Sequence, residues 1–292
     1  MQEAIHTNKN SIIPTNQLQE VIHSLLLGFD RNRYGHPEIC SLDEKEIYEE
    51  IIDIILQVIL VLLLEDRNFC NEKFRNRMSI RNVFDVLKEE KGIHVGSNAW
   101  NDLCSIFSVL FEEEYYSILQ PDNSCVYDVL QNLLYVNGQA VSYGNTDIDY
   151  LGTIYERLME FRIEFLSSDN CSIVRSSNRR NSGAHYTPRS ISQEMVQRTI
   201  EPVLGKNLSS QDILRIKICD PAMGSGVFLV ESCRYLSNKL VQVWQREGQT
   251  QEGKSKEERL MLARCLIAKH CLYGVDKKFE GVRFYGGVHG DV

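Results

Sequence analysis

The sequence predicts an α/β protein in which a helical bundle precedes the beginning of a parallel β-sheet flanked by helices. Three observations predict this class. Apolar residues recur at helical spacing over residues 46–160, a polar stretch at 167–183 interrupts them, and strand-like and helix-like patterns alternate afterwards. We therefore divide the chain into a helical region at 1–166, a linker at 167–183 and an incomplete α/β domain at 184–292.

The helical region is predicted from the spacing of its apolar side chains. Ile51, Ile55 and Val58 follow one another three and four residues apart, which places them on one face of a helix. The apolar stretch at 51–64 is interrupted by an aspartate and a glutamine, and it is too short and too polar to span a membrane. We interpret it as a buried helix.

The predicted linker, SSDNCSIVRSSNRRNSG, is rich in Ser, Asn and Arg and has almost no apolar periodicity. Such a composition buries too little apolar surface to become ordered, so we predict a mobile loop or an interdomain linker. Arg175, Arg179 and Arg180 either face a phosphate backbone or are simply solvated, and the sequence leaves both interpretations open.

The period of the apolar pattern changes after the linker. The segment ILRIKIC at 213–219 alternates apolar and charged side chains and predicts a strand. Helical spacing follows at 227–243 and 259–270, and CLYGV at 271–275 is a second, short strand candidate. Strands that alternate with helices in this order are typical of a parallel sheet.

Composition and charge narrow the class of protein. With 43% hydrophobic and 25% charged residues and no amino-terminal secretion signal, we expect a cytoplasmic globular protein. The nine cysteines form no C-x-x-C pair and no close Cys/His cluster, so neither a disulfide framework nor a metal site is predicted. Residues 1–170 carry a net charge of −15 and residues 171–292 carry +7, a modest basic balance that a nucleic acid could exploit.

A glycine turn, DPAMGSG at 220–226, joins the first predicted strand to a helix. Glycines let the backbone approach a ligand closely, and the helix directs unpaired N–H groups at it. The dinucleotide pattern needs a glycine where Leu229 stands, and the phosphate-loop pattern needs a lysine where Val227 stands. A nucleoside without a phosphate chain and an ordinary tight turn remain as alternatives.

Two aspartates close the two predicted strands. Asp220 ends the first, and Asp276 follows LYGV of the second. An acidic residue at the end of a neighbouring strand suits the two hydroxyls of a ribose. Taken alone, Asp276 is equally well explained as a strand-end or helix-capping residue.

The chain resembles the DNA adenine-N6 methyltransferases. The resemblance is to the amino-terminal part of the large restriction-modification enzymes of the type IIG and phage-exclusion kind. DPAMGSG resembles motif I of that family, GAHYTPRSISQEMV at 183–196 is similar to the motif that precedes it, and LYGVDKK at 272–278 resembles motif II. In the helical region, VLLLEDRNF at 61–69 and YLGTIYERLME at 150–160 are similar to further family segments.

The resemblance implies the start of a Rossmann-like methyltransferase domain that uses S-adenosylmethionine. It implies that the cofactor is bound by Tyr186, Thr187, Pro188, Asp220, Pro221, Ala222, Gly224, Ser225, Gly226 and Asp276. In this assignment the Thr187 turn holds the cofactor carboxylate, Asp220 lies near its amino group, and Asp276 takes the ribose. Phe228 either flanks the site or belongs to the core.

The family's catalytic D/N/S-P-P-Y/F/W segment is absent, because no two of the six prolines are adjacent. We therefore assign no catalytic residue and expect this chain alone to be inactive. The resemblance implies DNA as the partner of a complete enzyme and leaves open a second chain that completes the domain. The alternative is a non-catalytic DNA-binding or subunit-binding module derived from such an enzyme.

Overall fold

The computed structural model describes residues 12–33, 42–67, 79–89, 98–111, 115, 117, 119–146, 149–167, 170–176, 187, 189–205, 208–224, 226–248 and 255–275. The chain divides into two compact units, Met1–Gly183 and Ala184–Val292. Both are mostly helical with small sheets, which is compatible with the α/β class. In its described part, no helix is long and apolar enough to cross a membrane.

The first unit is a set of helices with two short hairpins. Its elements are α1 (Thr15–Arg33), α2 (Glu44–Asp66), α3 (Ile80–Glu89), α4 (Ala99–Phe111), α5 (Asn123–Leu134), β1 (Tyr135–Val136), β2 (Gln139–Ala140), α6 (Asp149–Leu158), β3 (Phe161–Ser167) and β4 (Asn170–Arg175).

Helix α2 is the central element of this unit. It begins with a reciprocal capping box, in which the Glu46 amide donates to Asp43 Oδ1 at 2.8 Å and the Asp43 amide donates to Glu46 Oε2 at 2.9 Å. Buried residues then occupy every side of the helix, which is typical of a helix surrounded by other elements. It contacts α1, α3, α4, α6 and β3. The prediction of a buried helix over 51–64 is confirmed.

The prediction of a linker starting at residue 167 is wrong for the part that the structure describes. Strands β3 and β4 form an antiparallel hairpin in which Ile163 pairs with Ile173 and Phe161 pairs with Arg175. Strand β4 contains only a short run of apolar residues, and it is stabilised by hydrogen bonds to β3 and by packing near α1. Arg175 therefore belongs to a hairpin, whereas Arg179 and Arg180 lie outside the described residues.

The second unit contains α7 (Arg189–Ile200), α8 (Ser210–Leu214), β5 (Ile218–Asp220), α9 (Val227–Arg246), α10 (Lys256–Cys271) and β6 (Leu272–Gly274). Strands β5 and β6 pair in parallel, with Ile218 opposite Leu272 and Asp220 opposite Gly274. The parallel pairing that the alternation of strands and helices predicts is confirmed. One apolar cluster holds buried residues of α7, α8, α9 and α10, and Ile218 and Leu272 pack against it.

The first predicted strand is shorter than its pattern indicates. Residues 213–219 alternate apolar and charged side chains, yet Ile213 ends up buried in helix α8 and only Ile218–Asp220 is a strand. The cause is a capping box at Ser209, whose hydroxyl accepts from the Asp212 amide at 3.2 Å while the Asp212 carboxylate accepts from the Ser209 amide at 3.0 Å. This local bonding starts a helical turn where alternation predicts an extended chain.

Candidate cofactor site

The glycine turn at the end of β5 is anchored to the end of β6. The Val275 amide donates to the Asp220 carbonyl at 2.9 Å, and the Met223 amide donates to the Val275 carbonyl at 3.0 Å. The Asp220 side chain stabilises the turn from within, because its Oδ1 accepts from the Ala222 amide at 3.1 Å. The turn therefore has a defined position relative to both strands.

Both described glycines of the turn adopt left-handed backbone conformations, with φ of 49° at Gly224 and 68° at Gly226. Residues other than glycine are disfavoured there. Apart from its chain neighbours, no described residue has an atom within 4 Å of a Cβ atom added to Gly224, so this side of the turn is open with respect to the described part of the chain. The close approach of a ligand that the sequence predicts is therefore sterically possible at Gly224.

Helix α9 begins directly at this turn. Gly226 is its N-cap and supplies no side-chain hydrogen bond, and the first turn of the helix contains no acidic residue. The first N–H groups of a helix have no partner inside the helix, and they carry the positive end of its dipole. An acceptor group on a ligand at the open side of Gly224 would meet these donors.

Six of the predicted cofactor residues lie among the described ones. Asp220, Gly224 and Thr187 are half-buried, Gly226 is buried, and Pro221 and Ala222 are exposed. All of these except Thr187 are brought together in the turn after β5. The remaining four, Tyr186, Pro188, Ser225 and Asp276, lie outside the described residues.

Phe228, for which two interpretations were open, packs against the apolar cluster of the second unit. This contact favours its assignment to the core.

A steric dependence between Gly274 and Met223 was not predicted from the sequence. A Cβ atom on Gly274 would lie 2.0 Å from Met223 Sδ and 2.9 Å from Leu229 Cδ1. Met223 is buried inside the glycine turn, so the end of β6 must be glycine for the turn to pack against it. A glycine at the end of an apolar strand is a signal for such close approach, and LYGV contains it.

A buried carboxylate next to the turn was also missed. Glu231 in α9 accepts from Arg189 Nε at 2.9 Å and from Arg234 Nη1 at 2.5 Å. Arg189 is the first residue of α7, two residues after Thr187. The ion pair therefore joins the helix that follows Thr187 to the helix that follows the glycine turn.

In the helical unit, two acidic residues of the segment VLLLEDRNF bond to other residues of the same unit. Glu65 Oε1 accepts from the Ile80 amide at 2.8 Å, and Asp66 accepts from Arg81 at 3.0 Å and from the Tyr143 amide at 2.7 Å. Burial raises the pKa of Glu65 above its ordinary value. These acidic groups hold three separate parts of the unit together, and their role is structural.

The segment YLGTIYERLME is likewise structural. The Tyr150 hydroxyl accepts from the Ile13 amide at 3.0 Å, while Arg157 donates to the Ile13 carbonyl at 2.7 Å and to Thr15 Oγ1 at 2.8 Å. Burial raises the pKa of Tyr150 to about 12. Helix α6 thus holds the residues that lead into α1.

No group of three or more His, Cys, Asp or Glu side chains in the described ranges is arranged to hold a metal ion.

Comparison with known proteins places the turn in a methyltransferase context. Residues 146–269 match the family described as N-6 DNA Methylase. The chain is also 22% identical, over 247 residues, to the type II restriction enzyme and methyltransferase RM.Eco57I of Escherichia coli. That alignment covers 83% of this chain and 24% of the relative, so the chain spans about a quarter of the length of the curated protein it matches. No solved structure matches the chain.

These matches confirm the resemblance to the amino-terminal part of an adenine-N6 DNA methyltransferase of the restriction-modification kind. The matched family region extends from before α6 through most of α10 and includes the whole glycine turn.

Proposed function

We propose that this chain supplies the helical region and a cofactor half-site of an adenine-specific DNA methyltransferase in a restriction-modification or phage-defence system. The observation that carries the proposal is the open, left-handed turn at Gly224, anchored to both strands and lying inside the region matched by the N-6 DNA Methylase family. The proposal includes a cytoplasmic location, where such an enzyme meets its DNA.

The donor set suits S-adenosylmethionine, which supplies an activated methyl group when it is bound. Gly224 and Gly226 let the cofactor approach the backbone, and the start of α9 presents N–H donors. Asp220 would meet the positive amino group of the methionine part, with Pro221, Ala222 and Ser225 lining the same turn. The absence of acidic residues from the first turn of α9 favours a ligand with acceptor groups there.

Two further segments would contact the cofactor. Thr187, between Tyr186 and Pro188, would hold the methionine carboxylate through its hydroxyl and the neighbouring amides. Asp276 directly follows Val275, whose backbone bonds to the turn, and would accept from the ribose hydroxyls. A nucleoside would thus be bound, and Val227 stands where the phosphate-loop pattern needs a lysine.

Methyl transfer to the N6 amine of adenine needs a second set of groups, which hold the flipped base against the methyl group. The proline-proline segment that does this in the family is absent from the sequence. We therefore expect no activity from this chain alone and assign the catalytic segment to a longer enzyme or to a second chain. DNA would be bound by that complete assembly.

Exposed apolar side chains in the second unit support such an assembly. Tyr273 and Val275 are 40% and 54% exposed at the end of β6, and Ile191 and Met195 are about half exposed on α7. Cys219, which lies opposite Tyr273 in the sheet, is exposed as well. A sheet in a Rossmann-like domain is covered by helices on both faces, so these residues suit contact with further structure.

A non-catalytic binding module is the second candidate, favoured by the missing catalytic segment. The two candidates differ in whether the half-site binds S-adenosylmethionine, which isothermal titration calorimetry measures directly. Wild-type chain should release heat of binding, and Gly224→Ala should weaken the affinity about ten-fold or more, because its methyl group would occupy the open side where the cofactor approaches.

Gly248→Ala is the matched control. Gly248 also has a left-handed backbone, with φ of 68°, and open space around an added Cβ, so the two substitutions carry the same backbone strain of about 1 kcal/mol. It lies at the other end of α9, about 30 Å from Gly226 for a 20-residue helix. Equal losses in both variants, or no binding by the wild type, would favour the binding module. Methyl transfer to DNA by the purified chain would contradict the expectation of inactivity.

A further inference from the structure

The side chain of Glu231 is 3% exposed, and its carboxylate is held by two arginines. Arg234 lies three residues later on the same helix, so its hydrogen bond at 2.5 Å is internal to α9. Arg189 reaches the same Oε1 atom from α7 at 2.9 Å. Burying a carboxylate costs free energy even when it is paired, because the desolvation penalty can exceed the gain from the ion pair. A buried ion pair is therefore weak evidence for stability, and another role has to be sought for this one.

The position of the ion pair within the two helices suggests that it fixes where each helix begins. Arg189 begins α7 two residues after Thr187, and Glu231 lies four residues after Val227, which begins α9. Each helix is therefore fixed at the end that follows a segment proposed to contact the cofactor. The pair lies within the part of the chain where small shifts would change the width of the site.

Apolar packing between α7 and α9 lies further along α7. Arg189, Ser192, Val196 and Ile200 follow one another at intervals of three or four residues and share one face of the helix. Val196 and Ile200 belong to the apolar cluster that also contains residues of α9. Apolar packing is non-directional, whereas a charge-assisted hydrogen bond fixes both distance and orientation.

We infer that Glu231 is a positioning residue, which holds the Thr187 segment at the correct distance from the glycine turn through its hydrogen bond with Arg189. The inference rests on the proposed function, because it assigns the two segments to one cofactor. Glu231 acts on them through the backbones of α7 and α9 and does not itself contact the cofactor.

The test compares Arg189→Gln and Glu231→Gln with Glu194→Gln in the full chain. Glu194 forms an ion pair with Arg198 at 2.6 Å on the same helix α7, but both side chains are exposed, at 62% and 78%. Such a surface pair contributes little, so Glu194→Gln controls for the loss of a charge-paired glutamate on α7. Arg189 is itself 46% exposed, so Arg189→Gln is the variant expected to fold normally even if Glu231→Gln does not.

The first readout is hydrogen exchange in the cofactor-free chain, at the amides of residues 193–196. These amides bond to the carbonyls of the first turn of α7, so they report whether that turn is held in place. We expect exchange about ten-fold faster in Arg189→Gln and Glu231→Gln, and unchanged exchange in Glu194→Gln. The double variant should exchange no faster than either single variant, because both remove the same hydrogen bond.

The second readout is the affinity for S-adenosylmethionine, measured by calorimetry. Arg189→Gln should raise Kd about ten-fold, and Arg189→Lys, which keeps the charge, should recover part of the loss. Wild-type exchange and wild-type affinity in Arg189→Gln would overturn the inference. If the wild type does not bind the cofactor, the proposed function fails, and the exchange measurement alone then decides whether Glu231 positions α7.

Discussion

The segments that resemble methyltransferases behave differently in the two units. In the helical unit, described polar side chains of VLLLEDRNF and YLGTIYERLME bond to other parts of the same unit, as Asp66 does to the Tyr143 amide and Arg157 to the Ile13 carbonyl. In the second unit, the glycine turn leaves open space at Gly224 and a helix start without a side-chain cap. One family resemblance therefore covers two kinds of segment, one bonded within its own unit and one with an open turn.

The largest expected effect is a loss of stability of the helical unit at high pH. Burial raises the pKa of Tyr150 from 10.0 to about 12, so the folded protein retains this proton more strongly than the unfolded chain. Stability is complete below pH 10 and falls as the pH rises towards 12, by about 3 kcal/mol for this group at roughly 1.4 kcal/mol per pKa unit. Burial also raises the pKa of Tyr143, in the same direction.

Each unit contains one tryptophan, Trp100 in the first and Trp244 in the second, and both are buried. Urea unfolding of a Trp244→Phe variant, followed by Trp100 fluorescence, therefore reports on the helical unit. Tyr150→Phe should flatten the loss of stability between pH 10 and 12, after allowance for the hydrogen bond that Ile13 loses. An unchanged slope in that variant would show that Tyr150 does not titrate as its burial predicts.

The next effect tests whether the acidic residues of the helical unit are structural. Asp66→Ala would leave the Arg81 guanidinium and the Tyr143 amide without this acceptor, at an expected cost of about 2 kcal/mol. Asp85→Ala, which removes an exposed carboxylate from α3, should cost far less. The measurement is the Trp100 unfolding curve. Equal free energies of unfolding of the Asp66→Ala and Asp85→Ala variants would show that the Asp66 carboxylate has no structural role in the helical unit.

The smallest effect concerns the packing beneath the turn. Gly274→Ala should destabilise the second unit by about 1 kcal/mol and weaken cofactor binding, because the added methyl group displaces Met223. Trp244 fluorescence in a Trp100→Phe background measures the stability. Met223→Ala should reduce the cost of Gly274→Ala, since the closest contact is then absent and only Leu229 Cδ1, 2.9 Å from the added Cβ, still has to shift. Additive losses in the double variant would mean that Met223 and Gly274 do not depend on each other.

Features with a local cause were predictable from the sequence. The buried helix at 51–64 and the turn between β5 and α9 follow from apolar periodicity and from two glycines. Two other features were not predicted. Strand β4 has little apolar periodicity of its own and is ordered by pairing with β3, and the Ser209 capping box starts helix α8 inside a segment whose alternation predicts a strand.

The candidate site likewise was predicted only where its residues lie in one short segment. The residues of the glycine turn were identified from one short segment, whereas Met223 with Gly274 and Arg189 with Glu231 are separated by 40 residues or more in the sequence. Neither pair has a spacing that periodicity can reveal, because each depends on how a helix or a strand packs against another. Close approach and burial identify them only in three dimensions.

Hydrogen exchange with and without S-adenosylmethionine tests the difference between the units most directly. Added cofactor should slow exchange in peptides that cover residues 220–230 and should leave 61–67 and 150–158 unchanged. Among the described residues, the turn has open space at Gly224, whereas Asp66 and Arg157 are bonded within the helical unit. Unchanged exchange at 220–230, or slowing only in the two helical segments, would contradict the assignment of the turn as a cofactor site.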